Sequence, residues 1–389
     1  MVTTTFLAEN STETIATNAV YHAEKGLSSF FGQAIHKLEG EGAIAVRKYI
    51  VTSLILLAMV FLIPWLGGER IPPTTLETEP PPQENEGQSD TQELSSPSVE
   101  VVPTGARDSA RTITVLLDGQ VVEMDLGSYL VGVVCAEMPA SFALEALKAQ
   151  AVAARTYTLH KMENGGSDRH LDADTCTDIT CCKAYRSEAE SAALWGEQAA
   201  EYEEKIRAAV TQTDGECVLY GGVPALTVFH SSSAGQTRNA QDVWSSAVPY
   251  LVSVSSPETE ETVPGFHSRA AFPATQLRNM LLEALPQAQL SGNASNWFTN
   301  MRQQTNGAVT ALEVGGVEVS GNQLRTILGL RSACFTLAFE GESVVFYVTG
   351  YGHGVGMSQY GANVLANGGM SYREILMWYY TDTEVGVYE

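Results

Sequence analysis

The stretch GVVCAEMPASFALEALKAQAVAARTYTL, residues 132–159, places a strand-like apolar run before a helical one, with a single proline between them. Val133, Val134, Cys135 and Ala136 form the run, and Glu137 stands at its end, just before Pro139. Proline keeps the residue before it extended, so a bend is expected at Met138. Ser141 then serves as a plausible N-cap, and Leu144, Leu147, Ala151 and Ala154 recur at helical spacing. Outward from here the signals alternate in kind. Residues 111–117 and 120–124 are β-rich and flank Asp118-Gly119, a strong two-residue hairpin signal. A helix is predicted over about 187–211, supported by the pairs Glu201 with Lys205 and Glu203 with Arg207. Further hairpins are expected at Gly221-Gly222, Gly315-Gly316 and around Gly341, a capped helix over 320–329, and a last helix over 372–380. Strands and helices come in blocks without a βαβ rhythm. The expected fold class is therefore α+β, with mixed strands and helices in one large domain.

Four segments carry residue types suited to chemistry. Glu137 is flanked by apolar residues, and desolvation raises a carboxylate pKa, the property a general acid needs. The plainer reading is a surface acid near a helix start, stabilised by the helix dipole. Arg155, eighteen residues on, falls near the helix face of Gln150, Ala151 and Thr158, placed to pair with a substrate carboxylate or to modulate Glu137. The second segment is His170-x5-Cys176-x4-Cys181-Cys182, a set of donors that suits tetrahedral zinc. Asp172, Asp174 and Asp178 interleave as further ligands or supports, and a disulfide or a reactive cysteine patch is the competing reading. Cys135, Cys217 and Cys334 stand singly in apolar runs and read as core. Third, a strand opens at His230 into Ser231, Ser232 and Ser233 and continues to Gln236. It suits hydrogen bonding to a hydroxylated ligand, and it lacks the strand-turn-helix context of a serine hydrolase. Fourth, the glycine-dense run 350–361 places His353 and Gln359 on a tight loop; no lysine follows in the P-loop position, so a phosphate cradle is not supported.

The chain has 389 residues and a formal charge of −23, which disfavours nucleic acid as a partner. Residues 49–66 are apolar and uncharged, spanning roughly 27 Å as a helix, near the lower limit for crossing a bilayer. Arg47 and Lys48 precede the run, so residues 1–48 are expected on the cytoplasmic side and everything after the span on the other. Residues 71–100 hold six prolines and seven acids with no lysine or arginine, a solvated linker assigned to 67–105. The folded domain is expected over 106–389.

The strings GVVCAEMPASFALEALKAQAVAARTYTL, HSSSAGQT, SGNQLRTILGLRS and GYGHGVGMSQYGA, in this order, resemble the stage II sporulation protein D family across roughly residues 112–384. The resemblance implies a membrane-anchored peptidoglycan lytic transglycosylase that cleaves glycan strands during forespore engulfment. Its catalytic domain would be extracytoplasmic, on the mother-cell membrane facing the forespore. It implies Glu137 as the catalytic acid/base and places Arg155, His230, Ser231, Gln236, His353 and Gln359 on motifs that line the substrate cleft. It further implies a structural Zn2+ on His170, Cys176 and Cys182, leaving Cys181 outside the set. Implied partners are the glycan strands, a sporulation amidase (protein P) and a membrane protein M. One carboxylate inside a long motif agrees with this chemistry, since a transglycosylase needs a single acid/base. The alternatives are a hydrolytic muramidase with Asp242 or Glu145 as second carboxylate, and a non-catalytic glycan-binding enhancer of a partner amidase.

Overall fold

A computed structural model describes residues 106–389 apart from Asp168, Leu171 and Ser245; the expected anchor at 49–66, the linker at 67–105 and the segment 1–48 lie outside the described residues. Among the described residues no helix is long and apolar enough to cross a membrane. Helix α1 (Ala106–Ala110) leads into β1 (Thr112–Leu117) and β2 (Gln120–Asp125), which pair in the expected hairpin. Asp118 and Gly119 both take positive φ, 49° and 78°, the turn geometry that matches strand twist. Asp125 then caps α2 (Leu126–Glu137) by accepting from the Ser128 N–H. Here the strand-like reading of 133–136 is corrected: these residues form the last turns of a helix. Burial of Leu130, Val131, Val133 and Val134 outweighs the weak helix aversion of valine. The bend falls where Pro139 imposes it, with Met138 extended at φ −128° and ψ 138°.

Helix α3 (Leu144–Glu163) is the axis of the first core. Ser141 does not cap it. The N-cap is Ala143, whose own N–H is taken by Asn363 Oδ1 at 2.8 Å. The leucine and alanine spacing predicted an apolar stripe, but the helix is buried nearly all round. Strand β3 (Thr175–Cys176) adds in parallel to β1. The helix expected over 187–211 is two, α4 (Glu188–Trp195) and α5 (Ala199–Thr211), separated by a 3-10 turn at Gly196–Gln198. The Glu203–Arg207 pair forms at 3.1 Å. Strands β4 (Glu216–Tyr220) and β5 (Val223–Pro224) make the expected hairpin, followed by β6 (Phe229–His230) and α6 (Gln241–Trp244).

The chain then leaves the first core and builds a second. Strand β7 (His267–Pro273), α7 (Ala274–Ala284), β8 (Phe298–Gln303), β9 (Val309–Val314), β10 (Val317–Val319), α8 (Gly321–Leu328), β11 (Phe335–Glu340) and β12 (Ser343–Thr349) close around Leu277, Leu281, Leu312, Leu324 and Phe346. The predicted capped helix ending at Gly329 is present, and its start is a capping box at Ser320 and its stop a left-handed Gly329. The return to the first core runs through β13 (Met357–Ser358), α9 (Gln359–Asn367), α10 (Tyr372–Tyr379) and β14 (Glu384–Val387). The sheets are small, ordered β2-β1-β3, β14-β4-β5, β13-β6, β10-β9-β8 and β11-β12-β7. Among the described strands, only the β1–β3 and β6–β13 pairs are parallel, so the mixed α+β class stands, built on two cores.

The β6–β13 pairing brings two distant motifs together, with Met357 opposite Phe229 and Ser358 opposite His230. Close approach explains the glycine density between residues 350 and 356. A Cβ on Gly356 (φ 68°) would stand 2.1 Å from the Val228 carbonyl oxygen, and one on Gly352 would stand 2.6 Å from the His230 Cβ.

Candidate functional site

Glu137 ends α2 on a cleft of about 640 Å³ whose walls include Ser141, Arg186, Trp195, Ser231, Tyr351 and Gln359. Gly132 lets the segment after the cysteine pair lie across this helix. A Cβ at Gly132 would be 2.2 Å from the Tyr185 ring, and the Arg186 N–H donates to the Gly132 carbonyl at 3.0 Å. One step further, the Ala184 N–H donates to Glu137 Oε1 at 3.0 Å. Gln359 Nε2 donates to the Glu137 backbone carbonyl at 2.8 Å and to Gln150 Oε1 at 3.2 Å, fixing the helix end. Desolvation raises the Glu137 pKa, opposed by the Lys183 ammonium and the Ala184 N–H. The negative end of α2 acts in the same direction as burial. Among the described residues lining this cleft, Glu137 is the only carboxylate. Glu145 is held by Lys148 Nζ at 2.7 Å and the Tyr372 N–H at 2.8 Å, and Asp242 accepts from Asn239 at 2.8 Å and Gln304 at 2.7 Å; neither lines the cleft.

The other expected cleft residues divide. Ser231 and Gln359 reach the Glu137 cleft. His230 is buried behind it, with Nε2 at 2.7 Å from Ser233 Oγ and Nδ1 at 3.1 Å from the Val355 carbonyl, and burial pushes its pKa down to about 4. His353 lies 5.5 Å from His230 and 5.2 Å from Trp244, ring to ring, and lines a neighbouring groove with Trp244 and Arg325. Burial and the facing His230 hold its pKa well below the ordinary histidine value. Gln236 points to the second core and donates to Thr305 Oγ1 at 2.8 Å. Arg155 is a correction: it is 0% exposed and does not line the cleft. Its guanidinium is spent on Asp108 at 2.5 and 2.9 Å and on the Glu216 carbonyl at 3.1 Å, and a buried cation goes where a buried anion can meet it.

Four residues escaped the sequence reading. Lys183 is buried, with its ammonium 3.8 Å from the ring centroids of both Tyr157 and Phe229, and burial lowers its pKa to about 8. Trp195 and Tyr351 give the cleft aromatic walls. Glu258, 2% exposed, accepts from the Ser233 N–H at 2.6 Å, Ser256 Oγ at 2.6 Å and Ser358 Oγ at 2.5 Å, tying the serine run to the start of α9. Adjacency to Cys182 was the one signal available for Lys183. Nothing local marks Glu258.

The cysteine cluster forms beside this wall. One donor atom each from His170, Cys176, Cys181 and Cys182 lies within 4.8 Å of the others, and the three cysteines are free of disulfides. His170 Nε2 is 3.1 Å from Cys182 Sγ, and the Cys181 and Cys182 sulfurs are 3.7 Å apart. Sulfurs at about 2.3 Å from a tetrahedral zinc stand about 3.8 Å apart, so the donor set has a spacing that would suit that ion, and Cys181 joins the three expected donors. The His170 Nδ1 meets the Ala173 carbonyl at 2.9 Å, which orients the ring. Lys161 Nζ lies 2.9 Å from Cys182 Sγ, and against the effect of burial this bond helps to lower the pKa of that thiol. The three aspartates stay out of the set as ligands. Asp174 accepts from Thr114 at 2.7 Å and Asp178 pairs with Arg169 at 2.6 Å, while Asp172 is exposed.

This arrangement can be set beside known proteins. A family model described as stage II sporulation protein matches residues 118–220, which include Glu137 and the cysteine cluster. Stage II sporulation protein D of Bacillus subtilis (strain 168) is 35% identical over 266 residues, 68% of this chain and 75% of that protein. Its counterpart in Bacillus amyloliquefaciens is 35% identical over 265 residues, again 68% of this chain and 75% of that protein. A protein named amidase enhancer, also from Bacillus subtilis (strain 168), is 28% identical over 309 residues, 67% of this chain and 40% of that protein. With three quarters of a 35% identical relative covered, this chain belongs to the stage II sporulation protein D family.

Proposed function

We propose that this chain is a lytic transglycosylase that cleaves peptidoglycan strands between N-acetylmuramic acid and N-acetylglucosamine and leaves 1,6-anhydro ends. Its family gives it a role in sporulation, and septal wall remodelling during engulfment is the place for such an activity. The observation that carries the reading is the solitary, half-buried Glu137 in a large aromatic-walled cleft. Hydrolytic glycosidases use two carboxylates, one as acid and one as base or nucleophile. With one, the substrate must supply the nucleophile.

Glu137, its pKa raised by desolvation, gives its proton to the glycosidic oxygen as the bond to the anomeric carbon breaks. The resulting carboxylate is stabilised by the Ala184 N–H and the Lys183 charge, then takes the proton of the muramic acid C6 hydroxyl as that oxygen closes on the anomeric carbon. The proton count balances and no water enters the product. Trp195, Tyr351 and Ser231 are placed to hold the sugars aligned. His170, Cys176, Cys181 and Cys182 would hold zinc, which when bound supplies a fixed crosslink two residues from the Ala184 donor. Residues 49–66 would anchor the chain in the mother-cell membrane with the folded domain outside, within reach of a sporulation amidase and a partner membrane protein.

The relative named amidase enhancer supports a second reading, a glycan-binding module that stimulates a partner amidase. Glu137→Gln separates them. It is expected to lower release of anhydro-muropeptides from purified sacculi by about 10²–10⁴-fold while glycan binding persists. Undiminished release would remove Glu137 as the acid, and reducing-end muramic acid as product would replace the transglycosylase with a hydrolase. A wild-type chain that releases no sugar yet accelerates an amidase would establish the enhancer.

A further inference from the structure

The domain that must meet a glycan strand is itself strongly acidic, with 32 acids and 17 bases over residues 101–389. Its cations are unevenly spent. Arg107, Arg155, Arg169, Arg207, Arg269, Arg302 and Arg373 pair with carboxylates. Arg111, Arg186, Arg238, Arg278, Arg325 and Arg331 have no carboxylate partner among the described residues, and two of them, Arg325 and Arg331, meet at one place. Arg325 Nε donates to the Arg331 carbonyl at 3.2 Å, and its two terminal amino groups bond no described residue. The Arg331 guanidinium lies 4.5 Å from the centroid of the Tyr351 ring, with Nη1 on the Gly265 carbonyl at 3.0 Å and a buried Nε that has no partner.

Tyr351 is the wall shared with the catalytic cleft. Two residues on, His353 lines the adjoining groove of about 510 Å³ with Trp244, Asn322 and Arg325. Trp244 is 42% exposed, an indole face available to the apolar side of a sugar ring. Asp242, an acid on the short helix that carries Trp244, has its carboxylate occupied by Asn239 and Gln304. The Arg325 guanidinium, partly desolvated and without an internal carboxylate, lines an open groove, and the Arg331 guanidinium stands over the ring of Tyr351; the fork of each suits an external carboxylate.

We propose that Arg325 and Arg331, with the Trp244 face, form a subsite beyond Tyr351 for a carboxylate carried by the glycan strand. The proposal rests on the peptidoglycan reading and deepens it. Such a carboxylate has two sources: the free lactyl group of muramic acid on a strand stripped of peptide, or the stem peptide of an intact one. In an acidic domain the subsite also offsets repulsion of an anionic polymer at the point of entry.

The test uses the full-length chain carrying Glu137→Gln, so that binding is read without turnover. The Kd is measured for denuded strands, peptide-bearing strands, denuded strands whose carboxyls are reduced to alcohols, and neutral chitin oligosaccharides. The carboxylate-bearing strands are expected to bind about tenfold or more tightly than the reduced ones, as for a hydrogen-bonded charged pair. Arg325→Gln with Arg331→Gln should erase that difference and leave affinity for chitin oligosaccharides unchanged. Preference for denuded strands assigns the lactyl group, and preference for peptide-bearing strands assigns the stem. Equal binding of native and reduced strands overturns the subsite without involving any variant. A chain that binds no glycan and, with Glu137 intact, releases no anhydro sugar overturns the peptidoglycan reading itself.

Discussion

Glu137 is held by opposing influences: burial and the end of α2 favour its neutral form, while Lys183 and the Ala184 N–H favour its charge. The balance lies above the ordinary glutamate value, which fixes the sign of two pH effects. As a general acid it works protonated, so kcat/KM should fall as pH rises through this raised pKa; a falling limb at the ordinary glutamate value would contradict the assignment. For stability, a carboxyl with a raised folded-state pKa binds more protons folded than unfolded. The protein therefore loses stability as pH rises from the unfolded value through the folded one. Glu137→Gln is expected to raise Tm at neutral pH and to leave it unchanged below the unfolded glutamate pKa, read by thermal melts at both. The position of this glutamate was legible in sequence because a proline two residues on marks the bend. Lys183 was not, because the rings that hold it, Tyr157 and Phe229, come from α3 and β6.

At the scale of elements, short pieces carry the site. Two-residue strands β6 and β13 align the serine run with the glycine loop, and Gly356 permits their contact. Gly356→Ala combines a positive φ with a clash against Val228 backbone and is expected to cost about 2 kcal/mol or more in denaturant unfolding. Gly369→Ala has positive φ but no atom within 4 Å, and should cost about 1 kcal/mol. Equal effects would show that close packing is not what the loop requires. The 170–186 segment is the second such piece, with few strand or helix bonds before α4. Purified protein is expected to hold about one zinc per chain, lost in Cys176→Ala, Cys181→Ala or Cys182→Ala, and chelation should lower Tm. A metal-free chain whose Tm ignores chelator would reject the centre. Hairpins, the Ser320 capping box and the Gly329 stop were readable because each is set by neighbours in sequence. The end of α2 was misread as strand, since valine-rich runs do not distinguish a buried helix from a buried strand.

Over the whole molecule, the first core is closed by groups far apart in the chain. The α1 backbone donates to Asp214 from Arg107 and Asp108, at 3.0 and 2.9 Å. The Asp108 carboxylate pairs with Arg155 on α3, and the Tyr388 N–H reaches Gly215 at 2.9 Å. Asp108→Ala leaves Arg155 buried and unpaired and is expected to destabilise by about 3–5 kcal/mol, measured by equilibrium unfolding. The fraction still folded should keep its KM for glycan. A raised KM at unchanged stability would return Arg155 to the substrate.

The amino-acid sequence by itself determined most hairpins and helix ends, the acidic character of the chain and the family, and it marked Glu137 and the His–Cys donors as candidates. Each of these is written in neighbouring residues or in contiguous motifs. Tertiary structure alone decided that Cys181 joins the donor set, that Arg155 serves the core, that Tyr351 walls the Glu137 cleft with Arg331 over its ring, and that Lys183 acts on Glu137 while Arg325 lines the neighbouring groove. Those outcomes depend on which buried charge finds a partner and which remains without one, and that is settled only when distant segments pack.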